Sequence, residues 1–329
     1  MDAKITKKRL GHLLSYDWIK IIAVAVAAII AWGLLFTMTE TRRLPSQGFS
    51  VMNYSGTKFN SAGTTLNSFL SDDKFSHEVI ETECVDVMRA GDDYLISLMD
   101  ATLSTDDCDV IIVANANDPD SETETEEGKT YLTYAQELIG GYSHYVIDAN
   151  EFLEGARTYL NGYYTNGYKD ANSLDKNKVG AHFRTRVQET QDKRFKTEDV
   201  IAVAIEYEIE RMEKYRQALL NVEDYLDKGY FRIDLIETDV SANGEIVHLQ
   251  RNLLNLCPNE ESMGGLKKEF YYETQELDEV TGSTLTISTA KDMMVAFAKT
   301  ANMDSNFYYE SLLYVDSLAQ KYCEPLQAK

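Results

Sequence analysis

The sequence predicts an α/β protein held in a membrane by one N-terminal helix. Three observations carry that expectation. Residues 19–38 form a 20-residue apolar stretch broken only by Lys20 and Thr37. Beyond residue 48, short β-rich runs alternate with segments of helical spacing, the rhythm of strands paired in parallel through right-handed crossovers. Asp109 leads into the continuous apolar run Val110-Ile111-Ile112-Val113-Ala114, which suits a central strand covered on both faces.

Composition sets the outer limits. The chain has 329 residues, 44% of them hydrophobic and 26% charged, enough to bury a sizeable core. Four prolines exclude a Pro-rich linker protein, and four cysteines exclude a disulfide-dense scaffold. The net charge of -22 argues against nucleic acid, whose phosphates need neutralising Lys and Arg. No cofactor and no metal are called for.

Residues 1–17 read as a basic cytoplasmic tail and 18–39 as the span. At 1.5 Å per residue, 20 residues reach about 30 Å, the thickness of a bilayer core. Trp18 and Trp32 lie near its two ends, as interfacial tryptophans do. No small-x-small cleavage site follows, and no cysteine occurs before Cys84 to take a lipid. Lys4, Lys7, Lys8, Arg9 and Lys20 precede or begin the span, and only Arg42 and Arg43 closely follow it. The expected orientation is N-terminus inside, with residues 40–329 an extracellular domain at the plasma membrane. Residues 1–43 carry seven basic and three acidic groups, leaving -26 on the remainder.

The elements of that domain follow in order. Phe49–Tyr54 alternates and stops at Ser55-Gly56, a strand and a turn. Thr64–Leu70 reads as a short helix and His77–Val87 as β-rich. Asp92–Leu103 has Leu95, Leu98, Met99 and Leu103 at helical spacing. Residues 117–129 form an acidic loop with no large apolar residue, read as a solvated loop or a disordered insert. Helices are expected near Tyr131–Ile139 and Ala149–Tyr163. The clearest helix runs from the N-cap Thr197 to Lys228, with Ile201, Ile205, Met212, Tyr215, Leu219, Val222 and Leu226 as its stripe and Gly229 after it. Tyr230–Val240 reads as a strand turning at Ala242-Asn243-Gly244 into Glu245–Leu249. A strand at Ser283–Ile287 and helices near Ala290–Thr300 and Asn306–Tyr322 complete the list.

The opening of this domain resembles the first lobe of bacterial extracellular solute-binding proteins. The stretch Tyr94-Leu95-Ile96-Ser97-Leu98-Met99-Asp100 through Asp109-Val110-Ile111-Ile112 carries the likeness, and Lys228-Gly229-Tyr230-Phe231-Arg232-Ile233 resembles that family's return through a hinge strand. Leu14-Ser15-Tyr16-Asp17-Trp18 before the span and Thr39-Glu40-Thr41-Arg42 after it are similar to membrane-anchored proteins of Firmicutes. The resemblance covers about a third of the chain. It implies that the first strand lies between the second and third, which would hold Cys84 and Cys108 too far apart to bridge. It also implies binding of a small polar ligand, or an accessory role beside a membrane transporter. The chain departs from the family in lacking a lipidated cysteine, in its short length for two lobes, and in having no tryptophan outside the membrane region.

Chemical motifs are sparse. Ser71-Asp72-Asp73-Lys74 and Ser173-Leu174-Asp175-Lys176 match the SxxK nucleophile pattern without its usual partner motifs, which keeps a cell-wall enzyme only as an alternative. His12, His77, His144, His182 and His248 have no ligand-spaced partner. Asp118, Asp120, Glu122, Glu124 and Glu126 fall at period two, readable as a loose Ca²⁺ site or as a solvated loop. Cys257 and Cys323 are left as a pairing option. Eight tyrosines between Tyr131 and Tyr168 read either as a binding face or as core and rim.

In open α/β sheets ligands bind outside the carboxyl ends of the strands. The expected ligand-binding residues are therefore Tyr54, Ser55, Asn115, Asn117 and Asp118, where the first and third strands end. The same residue types also serve as ordinary strand terminators. The expected function is a membrane-anchored binding or accessory module. A protein scaffold of a cell-envelope complex is the alternative, and the bilayer, a transporter or an envelope protein are the expected partners.

Overall fold

A computed structural model describes residues 11, 18–39, 48–56, 58–59, 79, 81–87, 93–105, 107–118, 121, 123–125, 128–242, 244–256, 270–277, 284–287, 293–299 and 309–322. The chain divides into two units, Met1–Arg43 and Leu44–Lys329.

The first unit holds helix α1 (Trp18–Thr39). Its stretch Trp18–Phe36 is the one helix, among the described residues, long and apolar enough to cross a membrane. None of that stretch is buried.

The second unit is α/β. In chain order it contains β1 (Gly48–Tyr54), β2 (Lys58–Phe59), β3 (Glu81–Asp86), α2 (Asp93–Ser104), β4 (Val110–Ala114), β5 (Thr123–Thr125), β6 (Gly128–Thr130), α3 (Tyr134–Tyr142), β7 (Val146–Ile147), α4 (Ala149–Asn161), α5 (Lys176–Thr190) and α6 (Glu198–Asp227). Then follow β8 (Arg232–Ala242), β9 (Glu245–Asn255), β10 (Phe270–Leu277), β11 (Thr284–Ile287), β12 (Met293–Ala298) and α7 (Tyr309–Tyr322).

The main sheet runs β3-β1-β4-β12-β9-β8, with β7 pairing β12 where β9 diverges from it. β1 is parallel to both β3 and β4, in the expected order. From β4 onward the pairing is antiparallel, so the sheet as a whole is mixed. β1, β4 and β12 are buried along their whole length. That explains β12, where the sequence suggested a helix at Ala290–Thr300. A run such as Met293-Met294-Val295-Ala296-Phe297-Ala298, apolar at every position, has no helical period to test, and a strand covered on both faces uses all six.

Side-chain alternation assigns the two faces. Val51, Val110 and Phe297 lie in one cross-strand row. On their face Phe297 stacks on Phe152 of α4 at 3.7 Å, and Phe49 packs against Tyr314 of α7 at 5.5 Å. α6 joins this layer: Tyr225 and Asn221 hydrogen-bond Asp316 of α7, and Glu223 binds Arg157 of α4. Tyr54, on the opposite face, meets Tyr134 of α3.

The tyrosine-dense segment is core and rim. The hydroxyls of Tyr164 and Tyr168 donate to Glu213 and Glu223 of α6, and Tyr163 shares a hydrogen bond with Nδ1 of His182 at 2.7 Å. α5 is fastened to α6 by a buried ionic group. Glu208 takes Nε of Arg211 at 3.1 Å and Nη1 of Arg186 at 3.5 Å. All three side chains are almost fully buried.

The acidic segment is partly ordered: β5 and β6 form an antiparallel pair inside it. Cys84 and Cys108 are free thiols. The expected helix at Thr64–Leu70, the motif Ser71–Lys74, His12, His77, Cys257 and Cys323 lie outside the described residues.

Candidate functional site at the carboxyl ends of β1 and β4

The carboxyl ends of β1 and β4 meet, with Tyr54 opposite Val113. The residues that follow them are fixed by the start of α3. Asn117 bridges Thr133, the Asp118 amide donates to the Leu132 carbonyl at 2.8 Å, and the Tyr134 amide donates to Ala116 at 3.1 Å. Thr133 caps α3 in a capping box with Gln136, which satisfies two amides that a helix start otherwise leaves open. The Gln136 side chain also reaches the Glu237 carbonyl of β8 at 3.1 Å, tying the helix across the sheet.

This frame sorts the five expected residues into two kinds. Tyr54 is 9% exposed, its ring edge-on to Tyr134 at 5.7 Å, and its hydroxyl donates to Glu137 at 3.0 Å. Ser55 is buried and donates to Oδ1 of Asn53 at 2.7 Å. Asp118 is 0% exposed. Asn115 and Asn117 are exposed. The structure thus brings all five to one edge and leaves two amide side chains facing solvent there.

Gly56 shows how tightly the edge is built. Its φ is +67°, and a Cβ placed there would lie 2.2 Å from the Tyr134 hydroxyl. No other residue type fits that approach without moving Tyr134.

The electrostatics favour hydrogen bonding over proton transfer. Burial, with the Glu137 carboxylate beside it, pushes the Tyr54 phenol above its ordinary range. The phenol therefore stays protonated at neutral pH and acts as a donor, not as a base. The SxxK serine Ser173 is also committed: it is buried and its hydroxyl donates to the Asp170 carbonyl at 2.8 Å, with Gly167 at 3.3 Å. Among the described residues no cluster of His, Cys, Asp or Glu is arranged to hold a metal.

Sequence reasoning set Gly56 in the turn after the first strand and counted Tyr134 among the clustered tyrosines, but assigned neither of them, nor Glu137, to this edge. The Thr133-x-x-Gln136 capping pattern marks the start of α3, from which Glu137 could be placed in the first turn. Nothing local indicates that Glu137 meets a residue 83 positions away.

No protein-family model matches the chain, and neither a curated protein nor a solved structure matches it.

Proposed function

We propose that this protein is a membrane-anchored extracellular binding module that holds a small polar ligand at the carboxyl edge of β1 and β4. One observation carries the reading: Asn115 and Asn117 stand exposed at an edge built on buried Tyr54 and Tyr134 and half-buried Glu137. Carboxamides offer both donors and acceptors, which suits a neutral polar ligand, and their loops diverge where open α/β sheets bind ligands. The likeness to solute-binding proteins and a role beside a transporter belong to this proposal.

The test is native mass spectrometry of the full-length protein extracted from its membrane. The reading expects a bound small molecule that the Asn115→Ala/Asn117→Ala variant loses, with a melting temperature within about 1 °C of wild type, as for exposed sites generally. A ligand retained by that variant contradicts it. The orientation is tested separately: Ser46→Cys should react with an impermeant maleimide on intact cells and Thr6→Cys should not. The reverse labelling would overturn the extracellular assignment.

A second reading, contact with another envelope protein, rests on the β8–β9 ribbon. There Leu235 is 50% exposed and Ile246 79% exposed on one face. Ile246→Lys would weaken such a contact and leave ligand binding at Asn115 unchanged.

A further inference from the structure

A concavity lies far along the chain from that edge. The chain turns between α5 and α6 through residues 191–197, entering the turn at Gln191 in a left-handed conformation with φ 52°. The turn leaves a cleft of about 530 Å³. That volume suits a small organic molecule.

One wall is apolar: Val187 of α5, Phe195 of the turn and Ile201 of α6 line it, all half-buried. The Phe195 ring is held in place, edge-on to Phe183 at 5.2 Å with the Arg194 guanidinium over it at 5.1 Å. A held ring stacks a ligand at less entropic cost than a mobile one.

The charges are unequal in a way that selects the ligand. Both acids at the cleft already have an arginine. Glu198 pairs Arg184 at 2.6 Å, and Asp192 pairs Arg194 at 2.8 Å. Lys193 and Lys196 also line the cleft, and among the described residues neither makes an ion pair. In a chain of net charge -22, two such lysines beside an apolar wall form a local cationic rim. Inorganic anions would find the lysines but leave the wall unused, and apolar amines would be repelled. An anion with a flat apolar body satisfies both.

We propose that this cleft binds a small aromatic carboxylate, its ring against Phe195 and its carboxylate between Lys193 and Lys196. The site shares no residue with the β1–β4 edge, so either proposal stands or falls alone.

The experiment is a titration of the full-length protein in lipid nanodiscs with 3-phenylpropionate, followed by calorimetry at low salt. 2-Phenylethylamine supplies the same ring with the opposite charge, and acetate supplies the charge without the ring. For a ligand of this size, a Kd of about 1 mM is expected for 3-phenylpropionate. The two control compounds should not saturate. Lys193→Gln/Lys196→Gln should weaken binding about tenfold with an unchanged melting temperature, and Phe195→Leu should weaken it with the lysines intact. Asn115→Ala/Asn117→Ala should have no effect. Absence of saturation up to 10-fold above the expected Kd would overturn the proposal. So would equal binding of 2-phenylethylamine, or binding unchanged by the lysine substitutions.

Discussion

Replacing Tyr54 separates a ring that builds the edge from a ring that touches a ligand. Tyr54→Phe keeps the ring and removes one hydroxyl, which donates to Glu137 at 3.0 Å. Glu137 is only half-buried, so water replaces the lost donor and the cost should be about 1 kcal/mol. Tyr54→Ala also removes a ring that is 9% exposed and packed edge-on to Tyr134. Emptying a packed aromatic site costs about 3–5 kcal/mol. For a unit of this size about 1 kcal/mol moves the melting temperature by about 2 °C. Differential scanning calorimetry of the full-length protein should therefore show losses of about 2 °C for Tyr54→Phe and about 6–10 °C for Tyr54→Ala. A Tyr54→Ala protein melting within 1 °C of wild type would refute the packed edge and return the ring to the ligand-facing role.

Three further outcomes follow from buried or paired charges. Glu208→Ala takes the shared carboxylate from Arg186 and Arg211, and should cost about 3–5 kcal/mol by urea midpoint, whereas an effect under about 1 kcal/mol would show that the group is not buried as drawn. Burial pushes the Glu310 carboxyl up to about 8, with Asp109 and Glu208 adding to it against the pull of Arg211. Its folded value is raised, so its contribution to stability is full below about 4.5 and is lost as pH rises through about 8, each pKa unit being worth about 1.4 kcal/mol. Glu310→Gln should flatten stability across that window, and an unchanged pH profile would reject the assignment. Asp239, then Glu237, raise the exposed His248 imidazole above 6.5, so whatever it contributes is present below 6.5 and lost as pH rises through the folded value. The NMR titration midpoint of His248 should lie above 6.5 and fall in Asp239→Asn, and equal midpoints would remove the pairing.

Much of the fold was legible because its signals are local. The apolar run of β4, the alternation of β1 and the stripe and Thr197 cap of α6 each declare themselves within a few residues. Parallel pairing followed from the strand–helix rhythm, while the order β3-β1-β4 was implied by the resemblance to solute-binding proteins. β12 was not legible as a strand: β4 is equally apolar but rich in β-branched residues, whereas Met293-Met294-Val295-Ala296-Phe297-Ala298 is rich in Met and Ala, which favour helix. The β8–β9 hairpin was legible from its alternation and turn residues, whereas the pairing of β9 with the distant β12 is set by tertiary contact. At the edge, the sequence could place five polar or aromatic residues at strand ends. It could not show that Tyr54, Ser55 and Asp118 turn inward, because Glu137, which holds Tyr54, is brought there by tertiary contact and the local Ser55–Asn53 hydrogen bond does not by itself dictate burial.

The location of binding is tested most directly by a photo-crosslinker. p-Benzoylphenylalanine replaces Leu132, which is exposed beside Asp118 and leaves Asn115 and Asn117 intact, in the full-length protein on intact cells, and in a second variant it replaces Glu206, exposed on α6. Irradiation should give one discrete adduct at position 132 that position 206 does not give. No adduct at 132, or the same adduct from both positions, would contradict a binding edge at the carboxyl ends of β1 and β4.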